Sequence, residues 1–276
     1  MQAFTLAVGL LAACNAPSPA RDRDASTRTR PHTAAPAKTH DAGAPVPVKG
    51  KGTLRGRVLF HGKAPPPAQV VIKGADAAKC QAARAYYARE VVTSADGGLS
   101  EVLVAIQGLR KPDGWPPHEV DVEIGDCAFR PRVIHATAGD TLWLENHDSI
   151  LVLPMIPDRS TPLQAAILPG QRHPRDVPRA GGFRMTDSLG MHDWMYAHVL
   201  VLPHPYHVVT SEEGRFEFAD IPEGAYRLNL WHPKLGEKGE PFTIRAGETT
   251  TMEILYEPPA PRAPAKAPGK APPGPD

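Results

Sequence analysis

Short runs of alternating apolar and polar residues, separated by turns rich in glycine and proline, fill the middle of the chain. Because successive side chains of a β-strand point to opposite faces, such alternation predicts strands with one buried face. The predicted strand segments are 54–60, 102–106, 120–124, 141–145, 199–202, 242–244 and 249–255, together with two strands within 214–231 that are separated by a turn at 222–224. The run 102–106 is apolar throughout, which predicts a strand covered on both faces. With one helix around 77–89, the pattern predicts an all-β protein of the sandwich type.

The two ends of the chain differ from this middle part in composition. Residues 14–50 and 257–276 are rich in alanine, proline and small polar or basic residues and contain almost no bulky apolar ones. Such segments bury too little apolar surface to offset the entropy lost on ordering. We therefore expect a disordered tether at 14–50 and an extended, partly polyproline II tail at 257–276.

The first residues predict export. An apolar run at 3–11, too short to span a membrane, ends in Leu11-Ala12-Ala13-Cys14, which resembles a bacterial lipobox. The resemblance implies that 1–13 is a lipoprotein signal peptide and that Cys14 is lipidated, which would hold the protein on a membrane. The run lacks the usual basic residues before it, and the alternative is an apolar terminus with a cysteine by chance. Asn15, in place of an aspartate, favours the outer membrane over the inner one.

Removing Cys14 leaves two cysteines, Cys80 and Cys127, in a compartment that permits disulfides. An even remainder fits a bridge between them, and the alternative is two buried free thiols. The formal net charge is only +1, and no nucleic-acid-binding motif is present, so nucleic acid is not an expected partner.

Several stretches carry a resemblance to a known group of proteins. "GTLRGRVLFHGKAP", "GDCAFRPRVIHATAGDTLWLENHD" and "GRFEFADIPEGAYRLNLW" occur in this order between Gly52 and Tyr256. They resemble bacterial cell-envelope proteins that combine a cupredoxin-like β-sandwich with a carboxypeptidase regulatory-like, transthyretin-type β unit. The resemblance implies a cupredoxin-like Greek-key sandwich over 51–207 and a smaller regulatory-like unit over 208–256, with the strand at 54–60 joining either one. It also suggests that Cys80 and Cys127 are bridged.

Copper-binding members of this group carry their ligands on two loops, with the patterns Asn-x-Asp-x-x-x-His and Cys-x-x-His-x-x-Met. The first loop keeps Asn146 and Asp148, but Val152 stands at the histidine position. In the second loop Leu189 stands at the cysteine position. Because the thiolate supplies the charge and covalency of a type-1 centre, its loss predicts that no blue copper site forms. We interpret Val152 and Leu189 as degenerate metal-site positions whose side chains fill the former cavity.

His192 and Met195 match the remaining ligand positions of the pattern. One alternative is therefore a copper-binding or copper-handling protein that uses His192 and nearby methionines, since thioether and imidazole ligands suit Cu(I). The nearby side chains of this kind are Met155, Met185, Met191, His147 and His198. A second alternative is a carbohydrate-binding module that uses Trp231 and Tyr226.

Catalytic motifs are missing from the sequence. Asp148 and His192 lie near Ser149 and Ser188 in sequence, but no nucleophile elbow or oxyanion motif accompanies them. The preferred hypothesis is a non-catalytic, lipid-anchored binding or structural module of the cell envelope, without a cofactor. Its expected partners are the membrane, through Cys14, and an envelope protein or glycan.

Overall fold

The computed structural model describes residues 50–157, 166–188 and 190–258. The predicted signal peptide, Cys14, nearly all of the tether, Leu189 and nearly all of the C-terminal tail lie outside these residues. No helix in the described ranges is long and apolar enough to cross a membrane.

The prediction of an all-β protein is confirmed, because the described residues form fifteen strands and one helix. In chain order the elements are β1 (Lys51–Phe60), α1 (Gln81–Ala88), β2 (Leu103–Gln107), β3 (Glu119–Gly125), β4 (Ala128–Arg130), β5 (Val133–Thr137), β6 (Asp140–Asn146), β7 (Pro154–Met155), β8 (Arg172–Val177), β9 (Gly181–Asp187), β10 (Tyr196–Leu202), β11 (His207–Val209), β12 (Arg215–Pro222), β13 (Gly224–His232), β14 (Gly236–Ile244) and β15 (Thr249–Tyr256). The helix predicted around 77–89 is α1.

The first sandwich consists of two four-stranded sheets with strand orders β4-β3-β6-β8 and β5-β10-β9-β7. Each sheet contains one parallel pair, β3 with β6 and β5 with β10. Alternate residues of β6 and β10 are buried. The sequence pattern of β6 predicts this alternation, whereas residues 199–202 of β10 are apolar throughout. The inward side chains of both strands meet in one core with the buried face of α1, and the largest of these fully buried side chains include Phe129, Ile124, Ile134, Leu142, Met185 and Met195.

The second sandwich has a three-stranded sheet of order β12-β1-β15 and a four-stranded sheet of order β11-β2-β13-β14. β1 is its central strand, antiparallel to β12 and parallel to β15. Gly56 of β1 lies under the ring of Phe216, and a Cβ atom at this position would come within 2.2 Å of that ring. Glycine is therefore required here by close packing within the sheet.

The expected division between residues 207 and 208 does not separate the two sandwiches. β1, which the sequence left open, pairs only with strands of the second sandwich. β2 was expected in the cupredoxin-like part, yet it pairs with β13 and β11. One face of β2 packs into the second core, and on its other face Leu103 and Ala105 are only 8% and 6% exposed, next to the space between the two sandwiches. Burial on both faces explains the continuous apolar sequence of this strand. The C-terminal sandwich therefore takes two strands from the N-terminal half of the described chain.

The predicted disulfide is confirmed: Cys80 and Cys127 are bonded, with 47 residues of sequence separation. The bridge ties the residue before α1 to the loop between β3 and β4. Both cysteines are buried in the first core, together with Ala83 and Tyr87 of the helix. The bond therefore fixes α1 and its preceding loop against the sandwich.

A buried ion pair joins the two sandwiches. Arg132, which precedes β5, is 3% exposed and donates from Nε to Glu101 Oε2 at 3.0 Å, with a second, shorter contact from Nη2 to the same oxygen. Glu101 precedes β2 and has a φ of 62°, in the left-handed region. The attraction between the Glu101 carboxylate and the Arg132 guanidinium offsets the free-energy cost of burying each charge. The ion pair therefore couples the stability of one sandwich to that of the other.

Candidate functional site

The first loop of the predicted metal site is closed by its own hydrogen bonds. Asn146 at the end of β6 is fully buried, and its Nδ2 donates to Ile150 O at 2.8 Å and to Ile167 O at 2.9 Å. Its Oδ1 accepts a hydrogen bond from Asp148 N at 3.0 Å. Asp148 Oδ2 in turn accepts from Cys127 N at 2.7 Å. Burial raises the pKa of Asp148, although this hydrogen bond works in the opposite direction. Asn146 and Asp148 thus act as structural residues of the loop.

Val152, which the sequence resemblance indicates as a degenerate metal-site position, is 0% exposed. Its backbone forms a β-bridge with Ile167: Val152 N donates to Ile167 O at 3.2 Å, and Ile167 N donates to Val152 O at 2.8 Å. Its side chain belongs to the first core. A hydrocarbon side chain here adds packing and offers no ligand atom.

His192, on the second loop, is held by a buried carboxylate. The ring is 1% exposed, and its Nδ1 lies 2.7 Å from Oδ2 of Asp187, at the end of β9. Nε2 lies 3.5 Å from Oδ2 of Asp76 and has no hydrogen-bond partner among the described residues. The ring also packs edge-on against Trp194, with 5.3 Å between the ring centroids. The imidazole thus connects the second loop to the segment before α1.

The methionines near this loop are in different environments. Met185 and Met195 are 0% exposed and belong to the first core, whereas Met191 is 44% exposed. Within the described ranges, no group of three or more His, Cys, Asp or Glu side chains is placed to hold a metal ion.

The residues present do not fit a type-1 copper ion. Cys80 and Cys127 are consumed by the disulfide, so neither can supply the thiolate. Val152 offers no ligand atom, and the imidazole of His192 has its Nδ1 engaged by Asp187. Sequence reasoning missed Asp187 and Asp76, the two carboxylates beside His192. Asp187, five residues before His192, was visible in the sequence, but nothing in the sequence connected Asp76 to it.

Two histidines meet where the sandwiches join. Nδ1 of His135 in β5 lies 2.9 Å from Nδ1 of His207 in β11, and Nε2 of His207 lies 3.1 Å from Thr137 Oγ1. Burial lowers the pKa of His207 to about 3, and the adjacent His135 and His204 act in the same direction. Burial also lowers the pKa of His135. Both rings are therefore neutral at pH 7, and one donates to the other across the junction.

A cleft of about 770 Å³ lies between the two sandwiches. One wall is the outer face of β9 and β10, and the other is the outer face of β2, β13 and β14. His198 of β10 meets Trp231 of β13 edge to face, with ring centroids 5.3 Å apart. Of the two aromatic residues that the sequence pointed to, Trp231 lines this cleft, whereas Tyr226 packs against Phe242 and the second core. The missed signal was the apolar outer face of β10, where Leu200 and Leu202 alternate with core residues.

No protein-family model and no curated protein sequence matches the chain. Among solved structures, amicyanin from Paracoccus versutus is 14% identical and matches 36% of this chain and 96% of its own, with a TM-score of 0.27. A purple cupredoxin from Nitrosopumilus maritimus is 17% identical, with 30% and 98% covered and a TM-score of 0.26. A Cu-containing nitrite reductase from Thermus scotoductus SA-01 is 19% identical, with a TM-score of 0.27; 32% of this chain and only 23% of the reductase are covered.

Proposed function

We propose that the chain is a non-catalytic, lipid-anchored module of the bacterial cell envelope, with a cupredoxin-like sandwich that no longer holds type-1 copper and a binding surface at the cleft between its sandwiches. The observation that carries this proposal is the state of the two former ligand loops. Val152 is fully buried in the core, and His192 is bound to the buried Asp187 at 2.7 Å. Both loops are therefore used for packing and internal hydrogen bonds.

Restoring the missing ligands tests the proposal. The wild-type chain should take up no Cu(II) with the visible absorption and electron paramagnetic resonance signal of a copper–thiolate centre. The variant Val152→His/Leu189→Cys should gain both signals, because it supplies the second imidazole and the thiolate. The matched control Val152→His/Leu189→Ser has the imidazole without the thiolate and should stay colourless. A copper centre of sub-micromolar affinity in the wild type that disappears in His192→Ala would overturn the proposal in favour of copper handling.

The lipid anchor has its own test. Cells grown with labelled palmitate should incorporate label into the wild-type protein but not into Cys14→Ser, and the variant should leave the membrane fraction. Label that persists in Cys14→Ser would refute the anchor without affecting the proposal for the copper loops.

Carbohydrate binding is a second candidate function, favoured by one observation. Trp231 lines the cleft half-buried, beside the exposed amide side chain of Asn229 in the same strand. Aromatic rings next to amide groups are suited to sugar rings. Glycan-array binding that is lost in Trp231→Ala and kept in Trp115→Ala, an exposed tryptophan outside the lining of the cleft, would establish this function.

A further inference from the structure

Aliphatic side chains from both walls form the floor of the cleft. Leu200 and Leu202 of β10 lie outside the first core, are half-buried and line the cleft. On that wall Leu103 of β2 is the cross-strand partner of Trp231, and Ala105 lies two residues further along β2. Cross-strand partners share one face of a sheet, so Leu103, Ala105 and Trp231 form an apolar patch, with the polar Asn229, the partner of Ala105, at its edge. They lie outside both hydrophobic cores.

Two glycines keep the cleft open. Gly182 is the cross-strand partner of Leu200, and a Cβ atom added there would meet only Leu200 Cδ2, at 3.4 Å. Gly239 is the partner of Asn229, and a Cβ atom there would lie 2.6 Å from the guanidinium of Arg227. Gly239 therefore allows Arg227 to lie across β14. The resulting volume of about 770 Å³ is within the range of sites that hold small molecules.

The charged groups at the cleft are mostly basic. The described residues that line it include Arg184, Arg227 and Lys238, with Glu237 as the one acidic side chain among them. Arg184 stacks over the ring of Tyr196, with 4.2 Å between the guanidinium carbon and the ring centroid.

Among the residues that the structure describes, neither of the two arginines has an acidic partner. Nη2 of Arg227 donates to Gly239 O at 3.1 Å, and neither Arg227 nor Arg184 forms an ion pair with any carboxylate in the described part of the chain. Lys238, by contrast, lies 3.5 Å from Glu240. Two guanidinium groups without carboxylates beside an apolar floor are complementary to a ligand that is both anionic and apolar.

From this combination we propose that the cleft binds an amphipathic organic anion, with an unbranched aliphatic body on the leucine floor and a carboxylate- or phosphate-type head group at Arg184 and Arg227. The inference names a ligand class for the binding role proposed above and rests on it. A neutral sugar would leave both guanidinium groups without a charged partner and would cover the leucines with hydroxyl groups. A fatty acid and a lysophospholipid share the required chemistry.

Calorimetric titration of the full chain carrying Cys14→Ser tests the proposal with probes of defined chemistry. Decanoate and decyl phosphate should bind saturably, whereas decyltrimethylammonium, with the same chain and the opposite charge, should bind at least about tenfold more weakly. Acetate, the head group alone, should not bind. The ratio of the affinities for decanoate and decyl phosphate distinguishes the carboxylate source from the phosphate source.

Three variants locate the binding. Arg184→Gln and Arg227→Gln should each weaken decanoate binding by roughly tenfold, because each removes a charge-assisted hydrogen bond. Gly182→Phe should abolish it, because the ring would occupy the space over Leu200 while leaving the core unchanged. Arg245→Gln, a matched exposed arginine beyond β14, should have no effect.

The inference would be overturned by equal binding of decanoate and decyltrimethylammonium, by glucuronate binding more tightly than decanoate, or by no saturable decanoate binding up to about 1 mM. Decanoate binding that survives Gly182→Phe, in a variant with unchanged thermal unfolding, would also overturn it. None of these outcomes depends on copper, so failure here is distinguishable from failure of the copper-loss proposal.

Discussion

The stability of the fold should fall with acidification because of His232. This residue, at the end of β13, is 0% exposed, and its Nδ1 accepts hydrogen bonds from the backbone N–H groups of Lys234 at 3.1 Å and Leu235 at 3.2 Å. A proton on Nδ1 would point at two donors, so the ring must be neutral with its hydrogen on Nε2. Burial lowers the pKa of His232 to about 3, and the charges of Arg132 and His198 act in the same direction.

The sign and size of the effect follow from proton linkage. Between the ordinary pKa of about 6.5 and the folded value of about 3, the unfolded chain binds a proton at His232 that the folded chain does not. The free energy of unfolding therefore decreases as pH falls below 6.5, by about 1.4 kcal/mol per pH unit from this one group. Between pH 7.5 and pH 5.0 the loss assigned to His232 is about 2 kcal/mol.

Denaturant unfolding of His232→Asn at these two pH values isolates the contribution of His232 to the pH dependence of the free energy of unfolding. The asparagine oxygen can accept from the same two backbone groups, but the side chain does not titrate, so the variant should lose about 2 kcal/mol less than wild type on acidification. His207 and the other buried histidines are unchanged in both proteins and cancel in the difference. His61→Asn, an exposed histidine after β1, should show the wild-type pH dependence. An unchanged pH dependence in His232→Asn would refute the reasoning.

Three further predictions concern stability, each measured by denaturant unfolding. Replacing Cys80 and Cys127 by serine opens a loop of 47 residues and should cost about 4 kcal/mol in the chain-entropy model; unchanged stability would contradict a structural role for the bridge. Arg132→Met should cost roughly 3–5 kcal/mol because it leaves the Glu101 carboxylate without its partner, and adding Glu101→Gln should recover part of the loss. If the double variant is no more stable than Arg132→Met, the ion-pair explanation fails. Gly56→Ala should destabilise by about 1–3 kcal/mol, since its methyl group would overlap the aromatic ring packed on it from β12; a neutral effect would show that this ring can move aside.

The strands most easily predicted from the sequence are those with a regular contrast between their two faces. β6 and β10 alternate buried and less buried positions along their length, and both were expected. β8 was not predicted, because five of its six residues are exposed or half-buried, and only Val177 is buried. Its sequence, "RHPRDV", has no apolar period to detect.

The assignment of strands to sandwiches could not be predicted, because strand partners are distant in sequence. β2 pairs with β13, more than 100 residues later, and its apolar run indicates burial on both faces without indicating which strands lie beside it. The disulfide was easier to predict, because only two cysteines remain once Cys14 is assigned to lipidation.

The candidate sites were likewise only partly predictable from the sequence. The absence of a metal-binding side chain at position 152, which is valine, is readable directly from the sequence. The contact between His192 and Asp76 is not, because it depends on where the segment before α1 packs. Likewise Arg184 and Arg227 reach one cleft only because the outer faces of two sandwiches are brought together.

Crystals of the full chain grown with Cu(II), with diffraction data recorded at the copper absorption edge, test the loss of the metal site most directly. We expect no anomalous density within bonding distance of His192 or the side chain at position 152, with the Asp187–His192 contact intact. An anomalous peak there, bonded to the imidazole of His192 at ordinary copper–nitrogen distance, would contradict this expectation.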